Sequence, residues 1–210
     1  MNSGQMLLEL TEAPLPTFDN FVPGRNAAAL AVLRALGNPD AGDRCVYLWG
    51  EPGSGRSHLL AAWRAKHAAN PACHAIDDVG TLGESAQIEL FNRYNHARDG
   101  HAWLLVAGDL PPAQLAVRVD VKSRLAWGLA FEIMPLTDDE KRAALLQRAV
   151  ERGMRINPEM LDYLMTRSRR DMTSLIALLE ALDRLSLQTK RPLTVPLLRE
   201  LLTQNQSLPL

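Results

Sequence analysis

The spacing of apolar residues changes period along the chain. After an opening punctuated by Pro14, Pro16 and Pro23, the stretch RNAAALAVLRAL carries its apolar residues at helical spacing. RCVYLWG (44–50) is a short, continuous apolar run ending at glycine, which predicts a parallel strand buried on both faces. SHLLAAWRAKHAA returns to helical spacing, and CHAIDDV (73–79) predicts a second buried strand closed by two carboxylates. ESAQIELFNRYNHARDG predicts an amphipathic helix stopped by Gly100, and AWLLVAGD (102–109) a third strand, ended by Gly108 and the pair Pro111–Pro112. Helical VDVKSRLAWG and strand LAFEIMP complete this region. Strands alternating with helices predict a parallel α/β sheet.

After Pro135 the strand signals cease. TDDE (137–140) has the capping-box spacing, Thr137 as N-cap and Glu140 three residues on, and the helix it starts should end at Gly153. Asn157 followed by Pro158 starts another helix, NPEMLDYLMTRS. DMTSLIALLEALDRLSLQ and TVPLLRELLTQ add two more amphipathic helices. The expected organisation is an extended segment at 1–23, an α/β base at 24–136 and an all-helical region at 137–210.

Composition narrows the classes. With 210 residues, 47% hydrophobic and 22% charged, the chain is an ordinary globular protein. Its net charge of −1 argues against general nucleic-acid binding, which draws its affinity from a basic excess. Cys45 and Cys73 both fall in strand-like apolar runs and read as reduced core thiols. The five histidines show no ligand spacing. No apolar stretch reaches about 18 residues and no signal-peptide pattern is present, so a cytoplasmic protein is expected.

The candidate chemistry begins at GEPGSGRSH (50–58), which has the phosphate-loop spacing G-x-x-x-x-G-K-S with arginine in place of lysine. Gly50, Pro52, Gly53, Ser54 and Gly55 form the turn whose backbone N–H groups can face a phosphate. The following helix, through Arg56, Ser57 and His58, adds its positive end. A plain strand–helix turn capped by Ser57 is the alternative. Arg56 brings a wide, forked guanidinium where lysine brings a compact charge, which suits holding a diphosphate better than assisting phosphoryl transfer. Ser57 and Asp77 are candidate Mg²⁺ ligands, with Asp78 beside them to position water; a solvated capping pair is the alternative. Asp109 points to the same crevice or starts the turn before Pro111. For Arg124 in KSRLAWG and for TRSRR (166–170), spacing alone leaves a solvated role open.

Taken together, TFDNFVPGRN, GEPGSGRSHLL, AIDDV, GDLPPAQL, SRLAWGL and PLTDDEK resemble the DnaA-related AAA+ family, and within it the shorter Hda-type regulators. The similarity runs over nearly the whole chain. It implies an α/β AAA+ P-loop domain with a helical lid. It implies an adenine pocket near Phe21, Val22 and Asn26, Walker A at Gly50–His58, Walker B at Asp77 and Asp78, and sensor I at Asp109. Arg124 matches the arginine finger, offered across a subunit boundary to ATP held by DnaA. The family's clamp-docking peptide is matched by QMLLEL at Gln5, Leu8 and Leu10, with Met6 replacing leucine and with Leu7 and Glu9 departing from it. The chain also ends QSLPL (206–210), similar to the same peptide.

Against the family pattern, the chain lacks a strand and helix before Walker B, so the sheet should be one edge strand short. Thr173 falls where a sensor II arginine is expected, with Arg170 about one turn earlier as the nearby substitute. No counterpart of the initiator's DNA-binding domain is expected. The resemblance thus implies a negative regulator of replication initiation, with the DNA polymerase sliding clamp and DnaA as partners and little direct DNA binding. It would have weak or absent ATPase activity of its own, and ADP or ATP with Mg²⁺ as its ligand. A homo-oligomer, an autonomous AAA+ ATPase acting as loader or remodeller, and a nucleotide-independent clamp–initiator adaptor stay open.

Overall fold

The computed structural model describes residues 15–40, 42–167 and 171–206, the last three by backbone alone. It divides into two compact units, one of them Leu15–Leu136 and the other containing the chain from Thr137 onward.

The first unit is built on four parallel strands, β1 (Cys45–Trp49), β2 (Cys73–Ile76), β3 (Trp103–Gly108) and β4 (Leu129–Glu132), in the order β2-β3-β1-β4. The helices are α1 (Ala27–Ala35), α2 (Arg56–Lys66), α3 (Glu84–Arg98) and α4 (Val119–Trp127). Side chains alternate along a strand, so each central strand feeds two cores. Val46, Leu48, Leu105 and Ala107 pack with Leu33 of α1 and Leu59, Leu60 and Trp63 of α2. Tyr47, Leu104 and Val106 pack on the other face with Leu90 and Tyr94 of α3 and Val121 and Leu125 of α4. Helix α2 therefore lies on one face of the sheet, and α3 and α4 on the opposite face.

The expected α/β class with a shortened parallel sheet holds. One strand differs from expectation. The second strand stops at Ile76 and is half-buried throughout, because it forms the edge of the sheet. Its apolar letters are those of a central strand, and only the topology places it outermost. The groups that face away from β3 are partly satisfied: Cys73 N–H donates to the Asn70 carbonyl at 3.1 Å, and the Arg64 guanidinium donates to the Ala75 carbonyl at 2.7 Å. Cys45 and Cys73 are free and half-buried, less deep than two core thiols; burial still pushes the Cys45 thiol up to about 12 and raises Cys73.

Residues 15–26 are fastened to this unit. Thr17 and Asn20 exchange hydrogen bonds between backbone N–H and side chain (2.8 and 3.2 Å), and Phe18 enters the core of α1 and α2.

The second unit is all helix: α5 (Asp138–Glu151), α6 (Pro158–Arg167), α7 (Met172–Thr189) and α8 (Val195–Gln206). The capping box forms, with Glu140 N–H donating to Thr137 Oγ1 and Thr137 N–H donating to the Glu140 carboxylate at 2.7 Å. Gly153 follows α5 with a left-handed φ of 69°. Asn157 caps α6 by accepting from Met160 N–H at 2.8 Å. Leu145, Leu164, Leu175, Leu179, Leu182 and Leu198 make the core, each burial contributing about 1.5–3 kcal/mol. Arg148 of α5 and Arg152 just after it reach Glu180 of α7, and Arg152 also reaches Asp183. No described helix is long and apolar enough to cross a membrane.

Candidate nucleotide site and the arginine face

The phosphate-loop segment links β1 to α2, as a phosphate cradle requires. Gly55, the residue before the helix, has φ 103°, and a Cβ there would lie 2.9 Å from the Phe21 ring. Glycine is thus needed both for the turn and for the approach of Phe21. The Phe21 ring also sits 5.5 Å from His58, whose Nε2 lies 3.0 Å from the Thr17 carbonyl. A carbonyl only accepts, so Nε2 carries the proton in that contact.

Arg56 is buried and its Nη2 donates to Asp109 Oδ1 at 2.5 Å. Asp109 follows β3, the strand next to β1, and its place is fixed from behind. The Tyr47 hydroxyl on β1 donates to the Leu110 carbonyl at 2.6 Å. It fits because residue 108 is glycine; a Cβ there would lie 2.6 Å from that oxygen. Burial raises the Tyr47 phenol far above its usual range, so it stays a donor. The loop's one cation is thus held by a carboxylate of the same chain.

Two polar atoms of this loop are buried without a partner among the described residues, Arg56 Nη1 and Ser54 Oγ. A buried guanidinium N–H without an acceptor is costly. An anion in the cradle would supply one, so the residues fit a phosphate.

β3 lies between β1 and β2, so Asp77 and Asp78 are two strands from the phosphate loop. Asp77 is half-buried; Asp78 is exposed, in a left-handed conformation (φ 46°), and donates its N–H to Asp77 Oδ1 at 3.0 Å. No hydrogen bond or ion pair joins either to the loop among the described residues. No cluster of three or more potential metal-binding His, Cys, Asp or Glu occurs there either. Ser57 is exposed.

Around the expected adenine pocket, Phe21 and Val22 are half-buried. Asn26 is buried and bonds the Met134 backbone twice, donating from Nδ2 to its carbonyl (2.9 Å) and accepting at Oδ1 from its N–H (2.8 Å). Its amide clasps the chain after β4 rather than pointing to a free ligand edge.

Arg124 lies on α4, on the sheet face opposite α2. Its guanidinium carbon is 5.4 Å from the Phe91 ring centroid, 5.9 Å from Tyr94 and 5.2 Å from Trp127. It forms no ion pair among the described residues. The freely solvated reading of Arg124 therefore gives way to one of an arginine lodged among rings. Gln5, Met6, Leu8, Leu10, Arg170 and residues 207–210 of the QSLPL end lie outside the described residues. Thr173 is half-buried in the first turn of α7.

Comparison with known proteins agrees with this architecture. Residues 138–202 match the family model of the Hda lid domain. Domain III of the replication initiation protein DnaA from Thermotoga maritima superposes with a TM-score of 0.65 at 19% identity, over 90% of this chain and 98% of that one. AMPPCP-bound DnaA from Aquifex aeolicus superposes at 0.63 with 20% identity, over 84% and 70% of the two chains. The RuvB Holliday junction branch migration motor of Thermotoga maritima superposes at 0.60 with 17% identity, over 90% and 71%. At such identities the likeness speaks for the fold alone. The chain shares the fold of DnaA domain III, and its residues 138–202 match the Hda lid domain.

Proposed function

We propose that the protein is a negative regulator of replication initiation that brings Arg124 to ATP held by DnaA and stimulates its hydrolysis. The observation that carries this reading is the division of labour across the sheet. The phosphate loop opens α2 on one face, while Arg124 sits on α4 on the other, lodged among rings and without a carboxylate partner among the described residues. An arginine so placed is aimed away from its own chain's phosphates and suits a phosphate on another subunit. A finger supplied in trans is worth about 10³–10⁵ in rate where it has been measured in other systems.

The chain's own residues divide the work. The backbone of Gly53–His58 and Arg56 would hold the phosphates of ADP or ATP, with Ser57 and Asp77 as Mg²⁺ ligands. Mg²⁺ would supply neutralisation of the phosphate charge. Because Arg56 is already paired with Asp109, the chain's own turnover is weak or absent. That pair equally favours a second reading, a clamp–initiator adaptor that works without nucleotide. Gln5, Met6, Leu8 and Leu10 would dock as an extended peptide in a groove of the sliding clamp. The regulator would act in the cytoplasm.

The test is the lifetime of ATP on the cognate DnaA, with clamp loaded on DNA, with and without this protein. Faster decay requiring both clamp and protein, lost in Arg124→Ala and weakened in Gln5→Ala, is the expected result. An unchanged lifetime would remove the hydrolysis role and leave the adaptor.

A further inference from the structure

The geometry points to Trp127 and Phe91 as positioning residues that hold the Arg124 guanidinium ready for an anionic group on a partner. This rests on the finger reading of Arg124. Trp127 stands one turn after Arg124 on α4, and Phe91 and Tyr94 stand one turn apart on α3, which packs beside α4. The guanidinium carbon lies 5.2–5.9 Å from all three ring centroids, inside the range of about 6 Å over which a cation is attracted to a ring face.

The three rings are not equivalent. Tyr94 is buried and belongs to the core under α3 and α4, so it serves the fold. Phe91 is half-buried, and the Trp127 side chain is open to solvent, with a residue exposure of 73%. Such an indole contributes little to folding, and among the described residues the Arg124 guanidinium lies beside its ring. Its exposure and its contact make sense together if its task is to hold that side chain.

The physical gain is pre-organisation. A free arginine on a helix surface loses rotamer freedom when it is fixed on a ligand. Ring contacts take that loss in advance. They also take up no hydrogen-bond acceptor, and so leave its five N–H donors for a phosphate. An acidic partner would hold the arginine equally well but would have to be displaced. Rings that stay in contact while the N–H groups donate therefore differ from a carboxylate latch, and Arg56 with its Asp109 shows the latter arrangement in the same chain.

The experiment compares Trp127→Ala, Trp127→Phe, Phe91→Leu and Arg124→Ala in clamp-dependent stimulation of ATP hydrolysis on DnaA, titrating this protein to saturation. Trp127→Ala should lower the saturating rate about two- to five-fold, the loss of one exposed cation–ring contact. The half-saturating concentration should stay the same, and Trp127→Phe should restore most of the rate. Phe91→Leu should act in the same direction. In the free protein, the Arg124 Nε–Hε resonance should lose its ring-current shift in Trp127→Ala. If Arg124→Ala removes stimulation but Trp127→Ala leaves the saturating rate untouched, the positioning role falls and the finger survives. If Trp127→Ala raises only the half-saturating concentration, the indole is a docking contact and the inference is overturned. If Arg124→Ala changes nothing, both readings fall together.

Discussion

Asp109→Asn is expected to tighten nucleotide binding by this protein. In the structure the carboxylate occupies Arg56 Nη2 at 2.5 Å, so a phosphate must compete with it for the loop's cation. Asparagine keeps the shape and an acceptor oxygen but removes the charge. A hydrogen bond to a charged partner is worth about 1.5–3 kcal/mol, against about 1 kcal/mol for a neutral one. The Arg56 side chain is 9% exposed but that of Asp109 is 63% exposed, so solvent screens the pair and the low end applies. The difference is about 0.5 kcal/mol, which is about two-fold in affinity. Titration calorimetry with ADP, on the wild type and on Asp109→Asn, measures it directly. Arg56→Ala in the Asp109→Asn background should erase the gain. Equal or weaker binding by Asp109→Asn would refute the competition. It would instead make Asp109 a residue that helps to hold the nucleotide, as a sensor I does.

Further outcomes are expected elsewhere. Asn26→Ala removes both hydrogen bonds to Met134 and leaves its backbone groups unpaired. Thermal or denaturant unfolding should show a loss of about 2–4 kcal/mol; a loss under about 1 kcal/mol would mean that water replaces the amide. Native Cys45, with its thiol pushed up to about 12, should resist iodoacetamide at pH 8 and react at once in urea. Rapid native labelling of Cys45 would contradict its burial. Burial lowers the pKa of His74, and Arg93, which can only donate, faces its Nδ1 at 2.9 Å and lowers it further. The folded state thus favours neutral His74. Its contribution is present above the usual histidine value of 6.5 and is lost as pH falls from there through the folded value. His74→Gln should flatten the fall in stability below that pH, and an unaltered slope would assign the fall to other groups.

What could be read from the chain is what depends on neighbours in sequence. The capping box at Thr137 and Glu140, the cap at Asn157 and the strand–loop–helix at 45–66 are local, so residue type and spacing specify them. What could not be read depends on which strand lies next to which. The apolar run before Asp77 looks like a central strand, yet it is the edge, and β3 brings Asp109 rather than Asp77 to Arg56 across 53 positions. Asn26 shows the same limit, since its partner lies 108 residues away. The pairing of Arg124 with Trp127 is within reach of helical spacing, but Phe91 and Tyr94 join it only because α3 packs beside α4.

The free edge of the sheet also bears on how this protein behaves at high concentration. A strand without an outer neighbour is normally an invitation to another chain, because its unpaired amides and carbonyls can template a new strand. Here the invitation is only four residues long, one of its amides is turned back onto Asn70, and one of its carbonyls is plugged by Arg64. The sheet thus ends in a blunt rim, and crowded copies meet a cation there instead of an adhesive ribbon.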